Sequence, residues 1–501
     1  MAQLDPEICY AALQARDARF DGRIFVAVTT TRIYCRPVCP ARPARFENCR
    51  FFRSAAAAQE AGFRPCLRCR PETTYELGAW RGTSNTVSRA LTLIAEGSLD
   101  GDDAYIENLA ERLGVGERQL RRLFQQHLGA SPVAVAHTRR VLFAKQLIHE
   151  TRLPMTEIAL AAGFGSVRRF NEAFQRLFRR PPSALRKVGE AAHAAGTVAA
   201  AGVTVRLRYR APYDWSAILS YLQSRAIDGI ERVQNGSYTR TVVEHGQAGT
   251  VEVSNLPEAD SIAATIRFPS VSALPAIVAR IRRVFDLDAD LAAIGLHLAR
   301  DPLLAQLLSE RPGLRVPGGW DGFELAVRAI LGQQISVEAG RRLVGQLVAL
   351  CESPAPKMAS ATPIFLRTFP VPAQVVAANL GSMKMPNARK QALVELAKAT
   401  LTNPRLFQPL GSIEETVAQL RAIRGIGDWT AHYIALRAAR DPDAFPVTDV
   451  GLLRCVAKRD ARLSAAELLK RAEGWRPWRA YAAQHLWAAD GAVRAADQGE
   501  P

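Results

Sequence analysis

Two pairs of cysteines and one hairpin-like turn carry the residues most able to do chemistry. Cys35 and Cys39 are separated by three residues, Cys66 and Cys69 by two, and 26 residues lie between the pairs. Each pair can reach one ion from a single turn, and four thiolates make a closed tetrahedral set suited to zinc. A segment of about 80 residues gains folding free energy from such an ion, because its own apolar core is small. Spacing by itself describes a structural zinc module; a zinc-held thiolate that also reacts is the second reading of the same four residues. Far downstream, Ile423-Arg-Gly425-Ile-Gly427-Asp-Trp429-Thr-Ala431 lies between two helical segments. Its Gly-Ile-Gly turn can aim backbone N–H groups at a phosphate from the start of the following helix. Non-catalytic DNA-binding proteins use such turns too. Asp449 follows 22 residues after Gly427, in Phe445-Pro-Val-Thr-Asp449-Val-Gly451. A lone loop aspartate is commonly a helix cap, and taken by itself Asp449 reads that way.

The segments that position these residues differ in texture. Residues 1–78 are rich in Arg and Cys, with short strand-like runs such as Ile24–Val28. Residues 84–187 have helical periodicity and contain an internal repeat: Leu109-Ala110 with Gly114 recurs as Ile158-Ala159 with Gly163. Two copies are too few for a solenoid. Ile106–Leu113, Gly114-Val-Gly116 and Glu117–His127 read as helix, tight turn, helix, and Met155–Ala162, Gly163-Phe-Gly165 and Ser166–Phe178 repeat the pattern. Leu120, Leu123 and Phe124 share one face of the first second helix, leaving Arg118, Gln119, Arg122 and Gln125 outward. In its counterpart Phe170, Phe174 and Leu177 point inward and Arg168, Arg169 and Asn171 outward. Helices offering Arg, Gln and Asn can read purine edges in the major groove; an ordinary helical bundle with a solvated basic face is the competing reading, weakened by the tandem arrangement. Residues 188–203 have little to bury and read as a linker. Residues 204–290 mix strand-like runs (Val205–Tyr209, Ala263–Phe268) with amphipathic helices, and the remainder to about 490 is helical.

Composition limits the partners. The chain has 501 residues and a net charge of +17, with the positive excess spread over every segment. A polyanion suits that balance, because neutralising phosphates releases counterions; a general Arg/Ala bias of the genome is the alternative. There is no apolar run of about 18 residues to cross a membrane. The first twenty residues lack a basic segment followed by an apolar one, so no signal peptide is expected. In a chain expected to be cytosolic, such clustered cysteines speak for metal rather than disulfides.

These motifs carry family resemblances. Thr31-Arg-Ile-Tyr-Cys35-Arg-Pro-Val-Cys39 and Gly62-Phe-Arg-Pro-Cys66-Leu-Arg-Cys69-Arg-Pro71 closely resemble the N-terminal domain of the Ada family, over residues 15–75. The resemblance implies one zinc held by Cys35, Cys39, Cys66 and Cys69, with Cys35 also accepting a methyl group from a methylphosphotriester in DNA. Thr31, Arg42 and Arg64 match family positions that contact the DNA backbone. Ile158-Ala-x3-Gly163-Phe164, with Phe170, Phe174 and Phe178-Arg-Arg-x-Pro182, looks like the AraC-type activator signature over residues 90–187. That order implies a methylation-switched transcription activator, with promoter DNA and RNA polymerase as partners.

The segment 204–490 resembles AlkA, 3-methyladenine DNA glycosylase II, at Pro212-Tyr-Asp-Trp215, Arg315-Val-Pro-Gly318, Ala329-Ile-Leu-Gly-Gln333 and Trp475-Arg-Pro-Trp478-Arg. Helix-hairpin-helix glycosylases carry an essential aspartate at the spacing of Asp449. By this resemblance Gly425 and Gly427 contact DNA, Trp429, Tyr433, Trp487 and Tyr221 line a base-binding cleft with Arg225 at its edge, and Gln334 takes the wedge position. An aromatic cleft would attract cationic alkylated purines. Strand-nicking relatives have a Schiff-base lysine where this chain has Trp429, which implies a monofunctional glycosylase. No cysteine cluster follows Asp449, so no iron–sulfur cluster is expected. Three features depart from the families: Gln replaces a leucine at 334, Val450 replaces an aromatic, and Ada's Pro-Cys-His-Arg methyltransferase motif is absent.

The expected architecture is therefore multidomain α+β. A zinc-bound methyl-acceptor domain (1–78) precedes an all-α double helix-turn-helix domain (84–187) and the linker (188–203). An α+β lobe (204–290) and an all-α helix-hairpin-helix glycosylase domain (291–490) follow. Expected partners are damaged and promoter double-stranded DNA, in the cytoplasm and on the nucleoid, with no membrane. The competing reading is a DNA-binding regulator whose C-terminal half recognises damage without catalysis.

Overall fold

The computed structural model describes residues 5–17, 20–71, 85–101, 105–186, 202–351, 367–408, 410, 412–459 and 463–497. Most of the expected linker, residues 188–201, lies outside the described residues, as does the stretch between the first two expected domains. The chain divides into two compact units: Met1–Tyr209 with Leu256–Ala279, and Arg210–Asn255 with Arg280–Pro501. The structure is mixed α+β and mostly helical, as the sequence implies.

In the first unit, helix α1 (Pro6–Gln14) begins at an Asp5 cap whose side chain accepts from Glu7 and Ile8 N–H. A small sheet follows, made of β1 (Phe25–Val28), β2 (Ile33–Cys35), β3 (Cys49–Phe52) and β4 (Arg64–Pro65), in the order β3-β1-β2-β4. The decisive pairing is parallel: β2 runs beside β4 with Ile33 opposite Arg64 and Tyr34 opposite Pro65. Cys35 and Cys66 each come one residue later, so both cysteine pairs begin at the same end of the sheet. Helix α2 (Ala55–Glu60) covers the sheet, and Phe25, Tyr34, Ala58 and Phe63 form its core.

Helices α3 (Asn85–Ala95), α4 (Ile106–Leu113), α5 (Glu117–Leu128), α6 (Pro132–Glu150), α7 (Met155–Ala161) and α8 (Val167–Phe178) realise the repeat within a residue of its expected limits. Each short turn is set by a left-handed glycine. Gly114, at φ +70°, caps α4 in the conformation that glycine adopts without a Cβ penalty. Leu120, Phe124, Phe170 and Phe174 are fully buried at the expected positions, whereas Leu123 and Leu177 are half-buried. Residues Val203–Arg208 and Ser261–Arg267 pair antiparallel in this same unit.

The second unit joins an antiparallel meander (Glu231–Gln234, Ser237–Glu244, Gln247–Leu256) to helices. The helices used below are α9 (Trp215–Arg225), α10 (Gly322–Leu331), α11 (Val337–Leu350), α12 (Asn387–Thr402), α13 (Ile413–Arg421), α14 (Asp428–Arg437), α15 (Val450–Arg459) and α16 (Arg479–Asp497). Helix α10 is apolar nearly all round and packs against α11, α12 and α14, as a central helix must. Its two charged groups are paired inside the protein. Arg328 meets Glu231 at 2.6 Å and Glu324 at 2.8 Å, and Arg240 meets Glu324 at 2.8 Å. Tyr238 Oη donates to Glu231 Oε1 at 2.7 Å. Two guanidinium groups thus balance two carboxylates between the meander and α10. Burial alone would raise the Glu324 carboxyl, and Arg240 and Arg328 hold it below its ordinary value.

Removing one member would strand opposite charge in the interior. Glu324→Ala should destabilise the second unit by about 3–5 kcal/mol, read as a lower denaturation midpoint. A loss under about 1 kcal/mol, the scale of a surface pair, would show that the network contributes nothing to the core.

Candidate active sites and metal centre

The four cysteines expected to act together do meet. The Sγ atoms of Cys35, Cys39, Cys66 and Cys69 all lie within 4.8 Å of one another. Cys39, Cys66 and Cys69 are buried residues, whereas Cys35 is half-buried. The donor set is four soft thiols at one point, which fits a tetrahedral zinc ion. Without a cation these thiols must share protons. Hydrogen bonds to Cys39, Cys66 and Cys69 raise the Cys35 thiol, whereas a bond from Cys35 is the main cause that lowers Cys66. Cys39 is lowered to about 7, chiefly by Cys35. Backbone N–H groups address the sulfurs as well: Arg36 N donates to Cys69 Sγ at 3.4 Å and Arg68 N to Cys66 Sγ at 3.3 Å.

Charged side chains brace this cluster. Arg36, buried, bonds both Asp21 and the Cys69 carbonyl. Lys145, fully buried on α6, donates to the Cys66 carbonyl at 3.3 Å. Tyr34, next to Cys35, accepts from Gln59 Nε2 at 3.0 Å, and Gln59 Oε1 accepts from Thr138 on α6 at 3.2 Å. The sequence reading missed Lys145 and Thr138, because nothing local marks a helix residue as the neighbour of a cysteine 79 positions away. Thr31 and Arg42 are exposed and Arg64 is half-buried. Arg118, Gln119 and Arg122 on α5 and Arg168 and Arg169 on α8 are exposed, with Arg168 paired to Glu172 at 2.8 Å.

The second site lies in the second unit. Gly425 has φ +92°, and a Cβ there would meet Ala392 of α12 at 2.4 Å, so both backbone angle and packing require glycine. Gly427 is the N-cap of α14, with no side chain capping it and open space around its Cα. The α14 amides are therefore presented to solvent at the positive end of the helix. Gln333 ties this turn down, donating to the Gly425 carbonyl at 3.1 Å and Thr430 Oγ1 at 3.0 Å. Gln334 is exposed beside it at φ +56°, a left-handed turn position uncommon for a residue with a Cβ.

Asp449 is gripped from three elements. Trp429 Nε1 of α14 donates to its Oδ2 at 2.7 Å, and Trp487 Nε1 of α16 donates to Oδ1 at 2.9 Å. Gly451 and Leu452 N–H of α15 add bonds to Oδ1 at 2.8 and 3.1 Å. Oδ1 therefore caps α15, the local role common for a loop aspartate, while Oδ2 takes only the Trp429 indole among the described residues and keeps lone-pair capacity. The cleft aromatics also assemble. Trp429 and Tyr433 stack at 5.1 Å with an 11° interplanar angle, Tyr433 meets Trp487 edge-on at 6.4 Å, and Tyr221 Oη lies 3.2 Å from Tyr433 Oη. Arg437, which sequence reasoning missed, lies among them. Its signal was present: 429, 433 and 437 advance four at a time and share one face of α14.

The module content and the geometry now define a class: an Ada-type metal-binding segment and a helix-turn-helix pair joined to an AlkA-type half. Family models for the metal binding domain of Ada match residues 8–72, for a helix-turn-helix domain 109–188, and for the AlkA N-terminal domain 204–321. Over 484 residues, 96% of each chain, this sequence is 40% identical to a probable bifunctional transcriptional activator/DNA repair enzyme AlkA of Mycobacterium tuberculosis. The chain belongs to that family of Ada–AlkA fusion proteins. It is also 32% identical over 292 residues to DNA-3-methyladenine glycosylase 2 of Escherichia coli, covering 57% of this chain and 97% of the relative. To the bifunctional transcriptional activator/DNA repair enzyme Ada of Escherichia coli it is 34% identical over 155 residues, 31% of this chain and 42% of the relative. No helix among the described residues is long and apolar enough to cross a membrane.

The purified chain should carry one zinc ion per molecule by elemental analysis. Cys69→Ser should bring this well below one and lower the melting temperature of the first unit. Full metal retention by that variant would show that the four sulfurs do not act as one site.

Proposed function

We propose that this protein repairs alkylated DNA by two separate chemistries, and that one of them switches transcription. The observation that carries the excision half is the grip on Asp449. Two cleft indoles hold one carboxylate, so the wall that would stack on a base also fixes the charge beside its sugar. Excision of an N3- or N7-alkylated purine breaks the C1′–N bond, leaves an oxocarbenium-like sugar and needs water to complete hydrolysis. Asp449 Oδ2, with lone-pair capacity left, stabilises that cationic sugar and orients the water. Trp429, Tyr433, Trp487 and Tyr221 receive the flipped base. The Gly425–Gly427 turn and the free amides of α14 hold the DNA phosphate, and Gln334, projecting from its left-handed turn, fills the vacated stack. Trp429 in place of a lysine supports monofunctional action that ends at an abasic site, with no iron–sulfur cluster involved.

In the front half, Cys35, the half-buried member of the four, is the methyl acceptor. Bound zinc holds the thiol as thiolate at neutral pH and contributes to the fold. Cys35 Sγ attacks the methyl carbon of a methylphosphotriester in one displacement: an S–CH3 bond forms, the O–CH3 bond breaks, and the phosphodiester leaves as its anion. No general acid is needed. The thioether carries no negative charge, so the face addressed to phosphate becomes less repulsive, with Thr31, Arg42 and Arg64 on the backbone. Arg118, Gln119 and Arg122 of α5 and Arg168 and Arg169 of α8 then read promoter DNA in the major groove. RNA polymerase is the protein partner of that activator half.

Two outcomes check these assignments. On duplex DNA containing 3-methyladenine, Asp449→Asn should slow base release by about 10²–10³-fold or more, and unchanged release would remove Asp449 from the mechanism. After exposure to methylphosphotriester DNA, the peptide bearing Cys35 should gain one CH2 unit, about 14 Da, the thiolate being the nucleophile. Methyl found on Cys39, Cys66 or Cys69 would contradict the choice of Cys35.

A further inference from the structure

The cleft expected to attract cationic bases already contains cations of its own. Arg437 of α14 is 2% exposed, and its guanidinium carbon lies 4.6 Å from the Tyr221 ring centre, 5.4 Å from Tyr433 and 5.3 Å from Trp487. Arg225, at the end of α9, puts a second guanidinium 4.0 Å from the same Tyr221 ring. A guanidinium keeps its charge in proteins. The partners of Arg437 are neutral: Nη1 donates to the Pro317 carbonyl at 2.7 Å and Nη2 to Gln484 Oε1 at 3.0 Å. Its Nε–H has no hydrogen-bond partner among the described residues, and no carboxylate there pairs with it. Two oxygen acceptors and the faces of three aromatic rings, with no carboxylate among them, therefore surround its charge. Arg225 is held at its own end of the cleft by Ser224 Oγ and the Tyr221 carbonyl, and Arg328 binds the Arg225 carbonyl at 2.7 Å.

Tyr221 and Tyr433 share a hydroxyl contact at 3.2 Å, and in both phenols Arg437 and Arg225 oppose the effect of burial: Tyr221 is still pushed up to about 12, whereas Tyr433 falls below the ordinary tyrosine value. Three of the four cleft rings thus spend π-electron density on a resident cation. A base carrying formal positive charge would stack on rings already engaged by a cation of the same sign, while the Asp449 carboxylate meets Trp429 and Trp487 at their indole N–H edges rather than over a ring face. A neutral base of similar shape would stack without that repulsion.

We propose that Arg437, supported by Arg225, is a specificity-determining residue that sets the cleft against formally cationic bases. This rests on the glycosylase reading above. Cationic lesions then leave because their glycosidic bonds are already weak, and the cleft contributes shape and stacking rather than charge attraction.

The test compares release of N7-methylguanine, a formal cation, with release of hypoxanthine, a neutral purine, each as kcat/KM from duplex DNA by the full-length protein. Arg437→Met keeps the apolar stem without the charge and should raise the methylguanine-to-hypoxanthine ratio by roughly tenfold or more. Arg437→Lys keeps the charge and should leave the ratio near the wild-type value. Should Arg437→Met not fold, Arg225→Met, at a half-buried position, should move the ratio in the same direction by a smaller factor. Equal slowing of both bases in Arg437→Met, or in Arg225→Met where only that variant folds, would mean a purely structural role and overturn the proposal. A ratio that falls would overturn it as well. Release of neither base by the wild-type protein would overturn the glycosylase reading and this inference together, whereas release of both with an unmoved ratio would overturn the inference alone.

Discussion

The second unit is organised around one constraint: a carboxylate placed beside aromatic rings must have its position fixed by donors that the rings themselves can supply. Asp449 meets this with two indole N–H groups and two backbone N–H groups. The indoles come from α14 and α16, and the amides from α15. Three helices are registered against one another by one side chain. The tight Gly425 contact with Ala392 and the Gln333 bonds set the start of α14, so the turn and the carboxylate are positioned by the same helix. A shift of α14 would move the cleft wall, the presented amides and the Asp449 grip together.

The first unit solves a like-charge problem instead. Four thiols within 4.8 Å of one another cannot all ionise unless a cation joins them. The parallel pairing of β2 and β4 sets that crowding through backbone register. Cys35 is the one residue of the four that is not buried, which is why the proposal gives it the reacting role. Lys145 and the Tyr34–Gln59–Thr138 chain join this cluster to α6, so the metal-binding segment and the helix-turn-helix helices share one packed unit.

Local patterns were the legible part of the sequence. Both helix-turn-helix copies follow from their 3.6-residue periodicity and their glycines, and the helix limits fall within a residue of the expectation. The cysteine pairs were legible because ligand spacing is a local property. Asp449 could be picked out from its distance to Gly427, but not its partners: Trp429 and Trp487 lie 20 and 38 residues away and converge only through tertiary packing. Arg437 was hidden for a related reason. On the sequence its spacing puts it on the face of α14 that carries Trp429 and Tyr433, but only the packing of α9, α14 and α16 turns it into the cation beneath three rings. Lys145 likewise looks like an ordinary helix lysine until α6 is docked. Residue charge was thus easy to count and hard to place, and placement decides what the charge does.

The central claim is that one chain carries a single-use methyl transfer and a turnover excision that do not depend on each other. A duplex bearing both methylphosphotriesters and N7-methylguanine, in large excess over protein, tests this most directly when released base and protein-bound methyl are counted in the same reaction. The account predicts that base release continues over many equivalents while bound methyl stops at one per chain. Asp449→Asn should silence only the first count, and Cys35→Ser only the second. Base release that stops at one equivalent, or either substitution silencing both counts, would contradict it.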